Sequence, residues 1–232
     1  MKIFHIGRLT ALALTLATGV AQASTVSILN WTFGSGKKVN ATGYSDYAGG
    51  MTVNIGNAGS DSASGLTTYA IEIGKDLPSS SGSSNYTVQD GSSYFQTQFN
   101  DASIATRLGR LMTVVGATPS LVDTAAESAS LQLAVWNLIY DNDYSVSSGS
   151  FRDSSSYASN ANSLLSLAQA ETSNGYTLKV LKSSEREDLF YTVASSSGSS
   201  LMTSVPEPAT LGLVAFGLLG VGVVAGRKRR RG

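Results

Sequence analysis

Apolar residues recur with a period of two, then of three to four, then of two again. Val26, Ile28, Trp31 and Phe33 predict a first strand over 26–33. Gly34-Ser35-Gly36 reads as a turn, Lys37-Lys38 as solvated, and 44–50 as a loop. Met51-Thr52-Val53-Asn54-Ile55 alternates without a break and predicts a strand. A Gly/Ser/Asn/Asp-rich loop over 56–65 leads to a strand at 67–73, with Tyr69, Ile71 and Ile73 on one face. A Ser/Gly stretch follows at 78–85, then a short strand at 86–88. Ile104, Leu108, Leu111 and Val115 bring helical spacing over 101–115, and 122–140 repeats it, with Asp123 as N-cap. A third helix is expected over 154–171, and strands return at 176–181 and 189–193. The expected fold class is α+β, an antiparallel β-sheet or sandwich with an inserted helical subdomain.

Both ends of the chain carry a different pattern. Lys2 and Arg8 precede an apolar stretch at 9–17, and Ala21-Gln22-Ala23 supplies small residues. This is the layout of a secretory signal peptide over 1–23, cleaved before Ser24. At the other end, Val205-Pro206-Glu207-Pro208 is followed by 17 uncharged residues, 209–225, and then by Arg227-Lys228-Arg229-Arg230-Arg231. The prolines exclude a helix before Pro208. A helix over 209–225 would be about 25 Å long, near the lower limit for a transmembrane helix. Cations are expensive to carry through hydrocarbon, so the terminal pentad is expected in the cytoplasm and everything before Val205 outside it. Between these ends lie an exported domain, 24–194, and a Ser/Gly linker, 195–204.

Composition narrows the chemistry. The 232 residues balance 16 Lys and Arg against 16 Asp and Glu. Without the two ends, nine basic and fifteen acidic residues remain in the exported part. An acidic domain disfavours a nucleic-acid partner. The chain has no cysteine, and its one histidine, His5, lies in the leader. Disulfides, a Ser-His-Asp triad and the usual zinc, haem and thiol chemistries therefore lack their residues. No catalytic residue, metal site or cofactor is expected, and no enzymatic activity.

The order Pro206-Glu207-Pro208, apolar helix, arginine-rich end resembles the PEP-CTERM sorting signal. That resemblance implies a bacterial exosortase substrate: a membrane transpeptidase cuts near the tripeptide and passes the protein to the cell surface. Family hosts mostly make exopolysaccharide, so an extracellular polysaccharide is an implied partner beside the exosortase and the membrane. A generic single-pass anchor for a surface adhesin is the simpler reading of the same tail.

One internal position is out of pattern. On a helical wheel of 125–141, Gln132 shares an apolar stripe with Ala125, Ala129, Trp136 and Ile139, opposite Ser130, Asn137 and Asp141. Burying an amide without partners costs roughly 2–7 kcal/mol, so Gln132 must be hydrogen-bonded or chemically used. Leu131-Gln132-Leu133-Ala134-Val135-Trp136 resembles the Gln-bearing helix of thioester domains, surface modules in which a Cys condenses with that Gln. Thr68-Tyr69-Ala70-Ile71-Glu72-Ile73 resembles their Cys-bearing strand. The resemblance places Ala70 at the Cys position. Since an alanine methyl cannot form a thioester, Ala70 and Gln132 are expected to be a degenerate, non-reactive pair.

Other constellations stay open. Glu185, Glu187 and Asp188 are either a solvated strand entry or the carboxylates of a glycan hydrolase. Asp141-Asn142-Asp143 either ends a helix or touches adventitious Ca²⁺. Tyr44, Tyr47, Tyr94 and Phe95, in loop-like stretches, either pack under loops or stack on sugar rings. The expectation is a membrane-tethered, exported surface or extracellular-matrix protein with a non-catalytic role in an exopolysaccharide envelope.

Overall fold

The computed structural model describes residues 24–56, 63–77 and 83–195. The leader expected over 1–23, the sorting residues Val205 to Pro208, the helix expected over 209–225, the cations Arg227 to Arg231 and all of the 195–204 linker beyond Ser195 lie outside the described residues. Among the described residues no helix is long and apolar enough to cross a membrane.

Among the described residues, eight strands and four α-helices follow in chain order. β1 (Ser24–Trp31), β2 (Lys37–Ala41), β3 (Tyr44–Ala48), β4 (Met51–Gly56), β5 (Ala63–Ala70) and β6 (Ser83–Asp90) come first. α1 (Gly91–Phe99), α2 (Ser103–Ala117), α3 (Ala125–Tyr140) and α4 (Ala158–Ala170) follow, and β7 (Tyr176–Lys182) and β8 (Leu189–Ala194) close the domain. The helices are thus an insertion between two strands of an antiparallel sheet, the α+β arrangement that the periodicity implies.

The sheet is a closed barrel, β1-β4-β5-β8-β7-β6, rather than an open sheet or a sandwich. Two strands make the closure by changing partner midway. β5 pairs with β4 as far as Thr68 and with β8 at Tyr69 and Ala70. β6 pairs with β1 over Ser83–Tyr86 and with β7 over Thr87–Asp90. Strands that cross from one half to the other form the corners of such a structure. Register shifts between Ile28 and Asn30 and between Val53 and Ile55 add local curvature. The alternation in β4 is realised, with Met51, Val53 and Ile55 buried.

Three segments expected to be irregular are regular. Lys37-Lys38 opens β2, and 44–48 is β3, which together form a two-stranded ribbon. Its turn places Thr42 at φ 50° and Gly43 at φ 85°, the pair of left-handed residues that tight hairpins favour. Val39, Ala41 and Ala48 bury the ribbon's inner side. Tyr94 and Phe95 lie on α1 and are buried, not in a loop. Asp90 starts that helix by accepting from the backbone N–H of Ser92 and Ser93.

α3 is the central element. Every residue from Ser128 to Ile139 is buried, including Ser130 and Asn137, which the wheel placed on an outer face. That face is covered by α4 and by the loop after α3. Ser130 Oγ donates towards Tyr157 O (3.1 Å) and Ala126 O (3.1 Å), and Asn137 Nδ2 donates to Asp143 Oδ1 (2.8 Å) and Ser145 O (2.9 Å). A helix apolar nearly all round belongs inside. Its N-cap is Thr124 rather than Asp123. Thr124 and Glu127 form a reciprocal capping box, which needs a hydroxyl three residues before the glutamate.

Candidate functional site

The end of β5 decides where Gln132 acts. The β4–β5 ladder stops at Met51 and Thr68, so Ala70 has β8 on one side and no strand on the other. Gln132 takes the vacant side. Its Oε1 accepts from Ala70 N at 2.9 Å, and its Nε2 donates to Ala70 O at 2.9 Å. The amide completes the strand edge as a neighbouring peptide group would, which satisfies both itself and the backbone. Ala70 is 5% exposed and Gln132 1%.

The same line of α3 makes two more contacts with this edge. Residues four apart share a helix face. Ser128, one turn earlier, accepts from Gly50 N (2.8 Å) through Oγ. Its hydroxyl also offsets part of the rise in the Tyr69 pKa, which burial pushes up to about 12. Two turns later Tyr140 donates its hydroxyl to Ile71 O (3.2 Å). Ser128, Gln132 and Tyr140 thus stitch one helix to the chain around the end of β5. The structure brings together the two positions that the sequence singled out as a pair.

Of the acidic residues before β8, Glu185 is exposed, as a solvated strand entry would have it, but the other two are not. Glu187 and Asp188 are each only 4% exposed. The buried run Leu189, Phe190 and Tyr191 pulls the preceding pair inward. Asp188 accepts from Tyr94 Oη (2.6 Å) and Ser183 N (2.7 Å), and donates its N–H to Glu72 Oε2 (3.0 Å). Glu72 in turn pairs with Lys75 at 2.9 Å. Burial, then the carboxylates of Asp46 and Glu72, push Glu187 up to about 9, so it is protonated at neutral pH. Burial also raises Asp188, against the opposing pull of its Tyr94 and Ser183 bonds. These acids are bound into the protein wall.

Asp141 and Asp143 organise the loop after α3. Asp141 Oδ2 accepts from Phe151 N (3.0 Å), and Asp143 accepts from Asn137, Ser145 N and Ser148 Oγ. Asn142 takes the left-handed φ of 63° that suits a turn. Among the described residues no group of three or more His, Cys, Asp or Glu is placed to hold a metal ion.

Between the ribbon turn and the end of α3 lies a pocket of about 370 Å³, lined by Thr42, Tyr44, Ile73, Tyr140, Ser150 and Phe151. Sequence reasoning grouped Tyr44 with Tyr47, Tyr94 and Phe95. The structure separates them: Tyr44 and Tyr47 are more than half exposed on β3, whereas Tyr94 and Phe95 are core residues. Tyr140 and Phe151 escaped the sequence reading as pocket residues because neither stands near Tyr44 in the chain.

The chain is similar to solved surface-protein domains. One is the N-terminal thioester domain of a surface protein from Clostridium perfringens, in a cysteine-to-alanine mutant: 17% identity over 74% of this chain and 99% of that one, with a TM-score of 0.47. Another is the N-terminal domain of the Streptococcus pyogenes pilus tip adhesin Cpa: 12% identity over 77% of this chain and 97% of that one, also with a TM-score of 0.47. No curated protein matches the chain. Residues 204–231 match the family model of the PEP-CTERM protein-sorting motif. The chain therefore carries the sorting motif of an exported surface protein, with an exosortase as its processing partner.

Proposed function

We propose that this protein is a non-catalytic surface component, tethered through 209–225, cut by an exosortase near Val205-Pro206-Glu207-Pro208, and retained in an exopolysaccharide envelope. Its globular part keeps the frame of a thioester site with the chemistry removed. The observation that carries this reading is the double hydrogen bond between the Gln132 amide and the Ala70 backbone, in a chain with no cysteine. A thioester needs a thiolate to displace the amide nitrogen; a methyl group offers no nucleophile. Gln132 then serves as a structural clamp, and the domain acts through its surface.

The terminal pentad Arg227 to Arg231 fixes the topology in this reading, with the domain outside the cytoplasm. Mass spectrometry of the mature C-terminus, in host cells with and without the exosortase, tests the processing. A new terminus close to Val205–Pro208 only when the enzyme is present supports it. A terminus at Gly232 in both strains reduces the tail to an ordinary anchor.

A further inference from the structure

We propose that the pocket between Tyr44 and Tyr140 binds a ring of a neutral saccharide, stacked on Tyr44. This rests on the surface role above and assigns that role a site and a ligand class. Tyr44 is 56% exposed although it stands on a strand that packs against the central helix. One edge of its ring nevertheless lies against the backbone of Gly74. A Cβ built at Gly74, whose φ is +77°, would come 3.0 Å from both Cδ1 and Cε1 of Tyr44. The ring therefore rests on a position that only a glycine suits, while more than half of the residue stays open to solvent.

The other walls are well held. Phe151 is 1% exposed, packs on Trp136 with ring centroids 6.4 Å apart, and has its N–H bound by Asp141. Tyr140 is anchored through its hydroxyl to Ile71 O. Thr42 sits at the rim with φ 50°, a conformation that β-branched residues rarely adopt. A two-way clamp holds it there: Thr42 N donates to Arg152 O (2.7 Å), and Arg152 N donates to Thr42 Oγ1 (3.2 Å). The Thr42 hydroxyl keeps its proton to donate, and Ser150 adds a second hydroxyl.

The lining fits one kind of ligand. It offers aromatic faces, an aliphatic patch from Ile73 and a hydroxyl rim, with no Asp, Glu, Lys or Arg among the described residues that line it. A few polar groups on an otherwise apolar, preformed pocket fix orientation in small-ligand sites of this size. A pyranose ring has one face of C–H bonds to lie on an aromatic ring and an edge of hydroxyls to meet Thr42 and Ser150. A uronate or phosphate would meet no counter-charge among these six lining residues.

The test uses the full chain in a detergent without a sugar headgroup, titrated with cellohexaose, maltohexaose and hexagalacturonate and followed by calorimetry. Saturable binding of a neutral hexasaccharide is expected, with none of hexagalacturonate. Tyr44→Ala weakens it by at least about tenfold, and Tyr44→Phe stays within about threefold, because the stacking face is kept. Gly74→Ala, which displaces the ring without removing it, also weakens binding. Tyr47→Ala, on the same strand but outside the pocket, leaves it unchanged. Thermal melting of each variant confirms the fold. No binding of either neutral sugar, equal loss in Tyr47→Ala, a preference for the uronate, or self-association through Tyr44 in place of sugar binding overturns the proposal. C-terminal processing is read in the same variants: Tyr44→Ala leaves it intact, so a failure of sugar binding and a failure of exosortase processing are told apart.

Discussion

Gln132 grips Ala70 by both backbone groups, with Oε1 on its N–H and Nε2 on its C=O, each at 2.9 Å. The clamp lies where β5 has lost β4 as a neighbour. Gln132→Ala leaves a buried N–H and C=O without partners and opens a cavity, which costs about 3 kcal/mol or more. Gln132→Met keeps most of the volume and still loses about 2 kcal/mol, the part due to hydrogen bonding. Chemical denaturation of both variants checks this. Equal stability of Gln132→Met and the unaltered chain would remove the clamp.

The start of α3 separates two neighbouring residues. Thr124 Oγ1 accepts from Glu127 N, and Glu127 returns the bond to Thr124 N. Thr124→Ala is expected to cost about 1 kcal/mol. Asp123→Ala changes stability by less than about 0.5 kcal/mol, since its own carboxylate caps nothing. Paired melting curves distinguish the two, and a larger effect at Asp123 would reassign the cap.

Glu187 sets a pH dependence with a defined sign. Its folded pKa of about 9 lies above the ordinary 4.5. Between those values the folded state holds a proton that the unfolded state has released, so stability falls as pH rises. The contribution is full below pH 4.5 and is lost progressively through about pH 9. Its slope approaches about 1.4 kcal/mol per unit inside that window. Asp188, also raised, acts in the same direction. Glu187→Gln keeps the shape without the proton, so its melting temperature falls much less between pH 5 and 9. An unchanged pH profile in that variant would place the titration elsewhere.

Local pattern and long-range closure were legible to different degrees. Strict alternation in 51–55 and helical spacing at Ile104, Leu108 and Leu111 are local signals, and both elements formed where expected. Gln132 stood out because an amide on an apolar stripe demands a partner, and Ala70 was identified by resemblance. The barrel was not legible, because β5 and β6 change partner in mid-strand, and period-two alternation says nothing about which strand lies alongside. β2 and β3 were missed because Lys38, Asn40, Tyr44 and Tyr47 are exposed, leaving only Val39, Ala41 and Ala48 to mark a buried side. Glu187 and Asp188 looked like a soluble entry. Their burial depends on Tyr94 and Tyr86, about a hundred residues away, whose hydroxyls donate to Asp188 Oδ2 and Glu187 O.

A thiol at position 70 examines the pair from the other direction. In Ala70→Cys the sulfur would stand beside an amide already held against the same residue. Attack of the thiolate on the Gln132 amide carbon forms a C–S bond and expels ammonia, so the variant is expected to lose one ammonia and to regain mass as methylamine opens the thioester. Intact-mass measurement reads both steps. A variant that keeps its ammonia shows that position 70 does not present its side chain to Gln132.

In the unaltered chain Gln132 and Ala70 remain a clamp with no covalent chemistry. The most direct test of this is the intact mass of the mature protein before and after exposure to methylamine. Both samples are expected to show the mass of the unmodified polypeptide. Loss of ammonia, or a methylamine adduct mapping to Gln132, would contradict it.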